Sequence, residues 1–227
     1  AALVAPSSFA NQNNQNVPMQ NAWAAGQNNG PGDVTRWDPT LQWMANNTPA
    51  EGDYGDANND SQMEYYGTYS QPPDGDYNYP EGSYGVMSWW DYGHWITVRG
   101  ERIPNANPFQ QHATKAANYL LAPNETAAND LLDDIDEDDA KTRYVAVDWK
   151  MVAPQGKFGA PIVFYDANES LQRSDMVRGQ VYNPNQQSWI TLKSQRYYES
   201  QMVRLYRYLG SAKRAQPIVV DFEQRTF

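Results

Sequence analysis

Apolar positions recur along the chain in two rhythms, separated by stretches with no rhythm at all. Trp37, Leu41 and Met44 stand at helical spacing behind Asp38-Pro39, a cap followed by a first-turn proline, which predicts a helix over 39–47. The apolar run Tyr84-Gly85-Val86-Met87 predicts a buried strand over 84–87, with a helix opening at Ser88 and running over 88–98. Asn107-Pro108 repeats the cap-plus-proline signal and predicts a helix over 108–122, stopped by Pro123. Over 125–139, Leu131, Leu132 and Ile135 lie among Asp133, Asp134, Asp136, Glu137, Asp138 and Asp139, an amphipathic helix with a solvated carboxylate face. Tyr144 to Val147 reads as a strand over 143–148, and Gly156 to Tyr165 as a short helix. Asn183-Pro184-Asn185 between β-prone runs predicts a hairpin of strands 178–182 and 187–192. Tyr198, Met202, Leu205 and Leu209 then place a helix over 193–209 ended by Gly210, and a last strand is expected over 217–222. The fold class is α+β, a mainly α-helical core with short strands and long loops.

Domain organisation follows from the gaps. Residues 1–33, rich in Asn, Gln, Gly and Pro, read as a flexible lead-in, and 34–215 as one core domain. Residues 216–227 read as a strand that opens a further, truncated domain, and 48–80 form a long loop of turn residues.

The chain has 227 residues and a net charge of -10, with 40% hydrophobic residues. That balance excludes nucleic acid and argues against anionic membrane surfaces, since both recruit excess cationic charge. It fits a surface adapted to high salt, or an ordinary acidic domain kept soluble by its charge. No cysteine is present, which removes thiol nucleophiles and thiolate metal sites, and His94 and His112 are too few for a histidine zinc site. No apolar run reaches the length of a membrane span, and Ala1 to Met19 lacks the layout of a signal peptide. Asn46, Asn59, Asn124 and Asn168 each begin an Asn-x-Ser/Thr triplet, a hint of an exported surface.

The informative string is Trp89-Trp90-Asp91-Tyr92-Gly93. An indole N–H only donates a hydrogen bond and a carboxylate only accepts one, whereas an alcohol does both. Two tryptophans beside an aspartate on a tight turn therefore suit one hydroxyl, with ring faces to enclose a neighbouring methyl. A ligand lacking the hydroxyl leaves buried polar groups unpaired, so such a pocket discriminates strongly. The bland alternative makes both tryptophans core and Asp91 a helix cap.

This string resembles the signature of the catalytic subunit of oligosaccharyltransferase, the enzyme of protein N-glycosylation. The flanking Tyr84-Gly85-Val86-Met87-Ser88 and His94-Trp95-Ile96 are similar to its archaeal branch. The resemblance implies that Trp89, Trp90 and Asp91 bind the Ser or Thr two residues after the acceptor Asn, while Tyr92 and Gly93 shape the turn. It also implies a second motif on a kinked helix, for which Asp148, Met151, Lys157 and Ile162 are the match. Lys three residues after Asp148 is replaced here by Met151, so Lys150 and Lys157 both stand as the lysine bordering the pocket, and Asp148 with Lys157 also reads as a plain ion pair.

The same resemblance implies a C-terminal globular region of a larger multi-spanning membrane protein, on the extracellular face of the cell membrane. The whole enzyme would move an oligosaccharide from a dolichyl phosphate carrier to Asn, using a divalent cation, Mn or Mg, held by the missing membrane part. The missing N-terminal region would carry the lipid-linked oligosaccharide, and no catalytic residue or metal ligand is expected in this chain. Asp53, Asp56 and Asp60 lack the closing Glu of a calcium loop. The rival from another class is an extracellular carbohydrate-binding or surface-layer module, because sixteen Tyr and eight Trp supply stacking platforms for sugars.

Overall fold

The computed structural model describes residues 32–49, 84–135, 141–167 and 170–217. The lead-in expected over 1–33, the long loop expected over 48–80 and the strand expected over 217–222 lie almost wholly outside them. Around one hydrophobic core sit short helices, a three-stranded parallel sheet and a hairpin, which is the expected α+β class.

Helix α1, Gly32–Asn47, buries Trp37, Leu41 and Met44 as the spacing required. It starts upstream of the expected cap and carries Pro39 inside. Asp38 does not cap it: its carboxylate accepts from Arg99 Nε at 2.7 Å and from Gln42. Strand β1, Tyr84–Met87, is buried at every position because it is the middle strand, parallel to β2 (Ile103–Pro104) on one side and β3 (Lys141–Val145) on the other. A strand covered on both faces needs a continuous apolar run, which Tyr84-Gly85-Val86-Met87 supplies.

After β1 the chain turns through a single 3-10 turn, Trp90–Tyr92, into α2, Gly93–Val98. The helix expected from Ser88 therefore begins later and in a tighter winding. Helix α3, Ala113–Leu121, also begins later than Pro108. Asn107 caps a turn instead, accepting from the Phe109 amide, and His112 at φ 57° blocks earlier helix. Helix α4, Glu125–Asp133, is capped by Asn124, whose side chain accepts from the Ala127 amide at 2.9 Å. Its acidic continuation over 136–140 falls outside the described residues.

After β3 come α5 (Trp149–Val152), α6 (Gly159–Phe164) and α7 (Arg173–Met176). Strands β4 (Val177–Asn183) and β5 (Ser188–Lys193) form the expected antiparallel hairpin. The single helix expected over 193–209 is two, α8 (Gln195–Glu199) and α9 (Gln201–Tyr208). Ser200 is extended at ψ 134° so that the Gln201 amide can reach the carbonyl of Ala122. Leu209, expected in the core, ends α9 in the left-handed region and is 94% exposed.

Candidate functional site

Both motifs of interest leave the same edge of the parallel sheet. The Trp89–Gly93 string follows the carboxyl end of β1, and Asp148 follows the carboxyl end of its neighbour β3. Ligand crevices form at this edge of open sheets, because successive strands deliver their loops side by side. The two ends are zipped together: the Ala146 amide donates to Met87 O at 2.8 Å, and Ser88 Oγ donates to Ala146 O at 2.8 Å. Residues about sixty positions apart in sequence thus share one crevice.

Within it the five residues of the string divide by role. Trp89 is 1% exposed and packs edge-on against Phe164 at 5.6 Å, so its ring is a wall of the core. Burying a side chain of this size stabilises by about 2–3 kcal/mol. Trp90 is only partly covered, 5.9 Å from the Trp89 ring, and its Nε1 is buried with no partner. Asp91 gives one carboxylate oxygen to Lys157 Nζ in an ion pair, while Oδ1 is buried and unpaired. Tyr92 is core, stacked on Trp37 at 4.3 Å, and its hydroxyl donates to Asp148 Oδ2 at 3.0 Å. Gly93 has no room for a side chain, since a Cβ would stand 2.4 Å from Ala106 O and 2.8 Å from Asn107 Cα.

The second motif is reached through a broken helix. Asp148 caps α5 by accepting from the Met151 amide at 2.9 Å, and its other oxygen accepts from Trp37 Nε1 and Tyr92 Oη, each at 3.0 Å. Three donors thus hold Asp148, which is a brace between α1, the signature turn and α5. It is not the partner of Lys157: the expected Asp148–Lys157 pair is replaced by Asp91–Lys157, because Asp148 is already filled. Helix α5 ends before Pro154, the chain loops, and α6 resumes at Gly159. That loop brings Lys157 back, its amide donating to Lys150 O at 2.8 Å and its ammonium 4.4 Å from the centre of the Tyr92 ring. Of the two candidate lysines it is Lys157 that pairs with Asp91, while Lys150 lies 6.0 Å over the ring of Trp149. Met151 is buried under the brace and Ile162 is half-buried against the core.

Electrostatics follow from this packing. Burial holds the Asp91 carboxyl above the usual aspartate range; the Lys157 bond and charge pull it back, and Asp148 pushes it up again. Trp37 and Phe164 are site-building residues that sequence reasoning missed. Trp37 lies 111 positions from the aspartate it donates to, and no local spacing announces that. Among the described residues no three carboxylate or histidine side chains gather as a metal site. His94 stacks on Phe109 and His112 contacts Asn105 O, both away from this crevice.

A family model for the AglB core domain matches residues 34–152, the stretch from α1 through the brace. The chain belongs to the AglB core-domain family. It is 56% identical over 220 residues to dolichyl-monophosphooligosaccharide-protein glycotransferase AglB of Haloferax volcanii, covering 91% of this chain and 20% of that protein. It is 31% identical over 159 residues to dolichyl-phosphooligosaccharide-protein glycotransferase 3 of Archaeoglobus fulgidus, covering 67% and 16%. The fold matches the crystal structure of an Archaeoglobus fulgidus oligosaccharyltransferase in complex with Zn and sulfate, with TM-score 0.60, 27% identity and coverage of 77% and 24%. The same enzyme tethered to an acceptor peptide containing the NVT sequon matches with TM-score 0.56, 25% identity and coverage of 78% and 22%. The match spans about a fifth of the length of the first of these curated relatives and about a sixth of the second. The family's match ends at 152, so Lys157 and Ile162 lie just beyond it.

Proposed function

We propose that this chain is the acceptor-reading domain of an oligosaccharyltransferase, binding the Ser or Thr of Asn-x-Ser/Thr in the crevice at the carboxyl end of β1. One observation carries the reading: on adjacent residues of one turn, Trp90 Nε1 is a buried donor without an acceptor and Asp91 Oδ1 a buried acceptor without a donor. Leaving such groups unpaired costs about 1–3 kcal/mol each. A single hydroxyl, which both donates and accepts, satisfies both at once. Trp89 frames the pocket from behind, the half-buried Ile162 provides apolar surface for a methyl, the fully buried Met151 packs in the core, and Lys157 favours the ionised form of Asp91. Tyr92, Gly93 and Asp148 fix the turn.

The whole enzyme then transfers an oligosaccharide from a dolichyl phosphate carrier to the acceptor Asn at the extracellular face of the cell membrane. Among the described residues no helix is long and apolar enough to cross a membrane. The described residues do not fit the divalent cation, Mn or Mg, that such chemistry uses, and no step here passes through it.

The test is a titration of the indole N–H signals with an Asn-x-Thr peptide and its Asn-x-Ala counterpart. The Thr peptide should move Trp90, and Trp89 less, while the Ala peptide moves neither; Asp91→Asn should abolish the response. Equal response to both peptides sinks the reading. Response to free sugars alone favours a carbohydrate-binding module, for which the hollow of about 480 Å³ bordered by Trp43 and Trp149 is the place to look.

A further inference from the structure

The net charge of -10 is a sum over very unequal parts. Residues 170–217 hold eight lysines and arginines against two acids, Asp175 and Glu199, a local balance of +6. This segment lies beyond the family's match, which ends at 152. The acidity of the whole chain therefore does not exclude anionic surfaces for this part of the molecule.

Folding concentrates the cations further. Arg178 and Lys193 border one open hollow of about 620 Å³, with Leu192, Tyr198 and Ala215. Gln195 fastens the segment after α9 to its edge, donating to Lys213 O at 3.3 Å and accepting from the Ala215 amide at 2.6 Å. The backbone that carries Lys213 and Arg214 is thereby held beside the hollow. The Lys193 ammonium lies 4.9 Å from the centre of the Tyr197 ring and that of Lys213 5.8 Å from Tyr208. Burial, and then the nearby Arg207, push the Lys193 ammonium below the ordinary lysine range.

Nothing in the described residues answers this charge. The Asp175 carboxylate is occupied in a capping box, accepting from the Gln172 amide at 2.8 Å. Among the described residues no carboxylate lies within ion-pairing distance of Arg178, Lys193, Arg207, Lys213 or Arg214. Like charges gathered without counter-ions destabilise a fold, and an external anion relieves them. Leu209, 94% exposed, projects from the chain between Arg207 and Lys213, and the hairpin adds exposed Tyr182 and Trp189. Long-stemmed cations interleaved with a bare leucine and aromatic rings are the composition of a lipid-water boundary. A long polyanion would also run along the acid-rich remainder of the molecule and be repelled, whereas a lipid surface meets one face.

We propose that the face built by β4, β5, α8 and α9 docks on an anionic lipid surface, with Arg178, Lys193, Arg207, Lys213 and Arg214 taking phosphate headgroups and Leu209 entering the headgroup layer. This docking is independent of sequon reading. The test is flotation of the chain at low ionic strength with vesicles of phosphatidylglycerol and phosphatidylcholine in equal parts, against phosphatidylcholine alone. The chain should float with the first and not the second. Each cation changed to Gln, beginning with Lys213→Gln and Arg214→Gln, should lower partitioning about fivefold. Leu209→Asp should weaken it further. The Trp90 response to sequon peptide must survive in these variants, which separates loss of docking from loss of the other site or of the fold. Absence of flotation, equal flotation with both vesicles, or binding of poly-glutamate without vesicle binding each overturns the proposal.

Discussion

Arg102 and Asp91 are both ionisable groups taken largely out of water, and the fold treats them in opposite ways. Arg102, 4% exposed, has all three of its side-chain nitrogens hydrogen-bonded. Its Nε meets Thr48 Oγ1 at 2.8 Å and Tyr84 Oη at 2.7 Å, Nη1 meets Glu101 O, and Nη2 meets the carbonyls of Met44, Ala45 and Thr48. The last three lie at or just past the carboxyl end of α1, where the helix dipole favours a cation. Asp91 by contrast keeps one oxygen buried and unpaired beside an equally unpaired indole. A charge that is fully answered from within holds the fold together. One left half answered is what the proposed acceptor site rests on, a distinction drawn without reference to any motif.

The widest gap between them should be in stability. Arg102→Ala removes a buried cation from six acceptors and should cost about 3–5 kcal/mol. Asp91→Ala should shift urea unfolding by less than about 1 kcal/mol while losing the peptide response. A comparable loss for both would make Asp91 a structural residue and collapse the distinction.

Gly93 tests whether the turn itself is the precision part. With backbone atoms 2.4 Å and 2.8 Å from where a Cβ would lie, Gly93→Ala must push α2 off the 106–107 loop. The expected cost is about 2–3 kcal/mol, with peptide affinity falling together with thermal stability. Full retention of both would show that the loop yields.

How much of this was legible in advance depends on how local each cause is. The Trp89–Gly93 string is contiguous, so its chemistry could be argued from adjacent residues, and the hairpin from Asn183-Pro184-Asn185. The helix starts at Pro39 and Pro108 were misread because a cap-plus-proline signal states only local preference. Asp38 was taken by Arg99, and Asn107 by a turn. The break at Ser200 answers a bond to Ala122, on the far side of the chain. Trp89 and Trp90 look alike in sequence and both stand edge-on to Phe164 from α6, yet one is 1% exposed and the other only partly covered, a difference that no local pattern announces. The cationic face was hidden by summing charge over the whole chain.

Asp148 stands between the two extremes, since three donors from three segments converge on it. Asp148→Asn keeps the shape but replaces an oxygen with a group that donates toward Trp37 Nε1 and Tyr92 Oη. It should cost about 2 kcal/mol and loosen the turn, weakening peptide binding through Tyr92 rather than by direct contact. If binding falls with no change in stability, Asp148 touches the peptide itself.

The finest test is protonation of Asp91. Its folded carboxyl titrates above the ordinary 3.8, chiefly because burial disfavours the charge. Between 3.8 and that raised value the folded state holds a proton the unfolded state has released, so stability falls as pH rises through this window and the penalty is complete above it. Asp91→Asn, which carries no charge, should therefore be slightly more stable than the parent at neutral pH, by less than about 1 kcal/mol, and the advantage should vanish below the ordinary aspartate value. Lys157→Gln removes the bond and charge that pull the carboxyl down, so it should move the Asp91 titration upward in carboxyl-carbon NMR. Peptide binding obeys the same proton with the opposite consequence. Once protonated, the carboxyl no longer offers a charged acceptor, and the Thr hydroxyl loses its strongest partner. The Asn-x-Thr response at Trp90 should thus weaken as pH falls through the raised value, at a higher pH in Lys157→Gln than in the parent. A response indifferent to pH in both would mean that Asp91 Oδ1 is not what the hydroxyl meets.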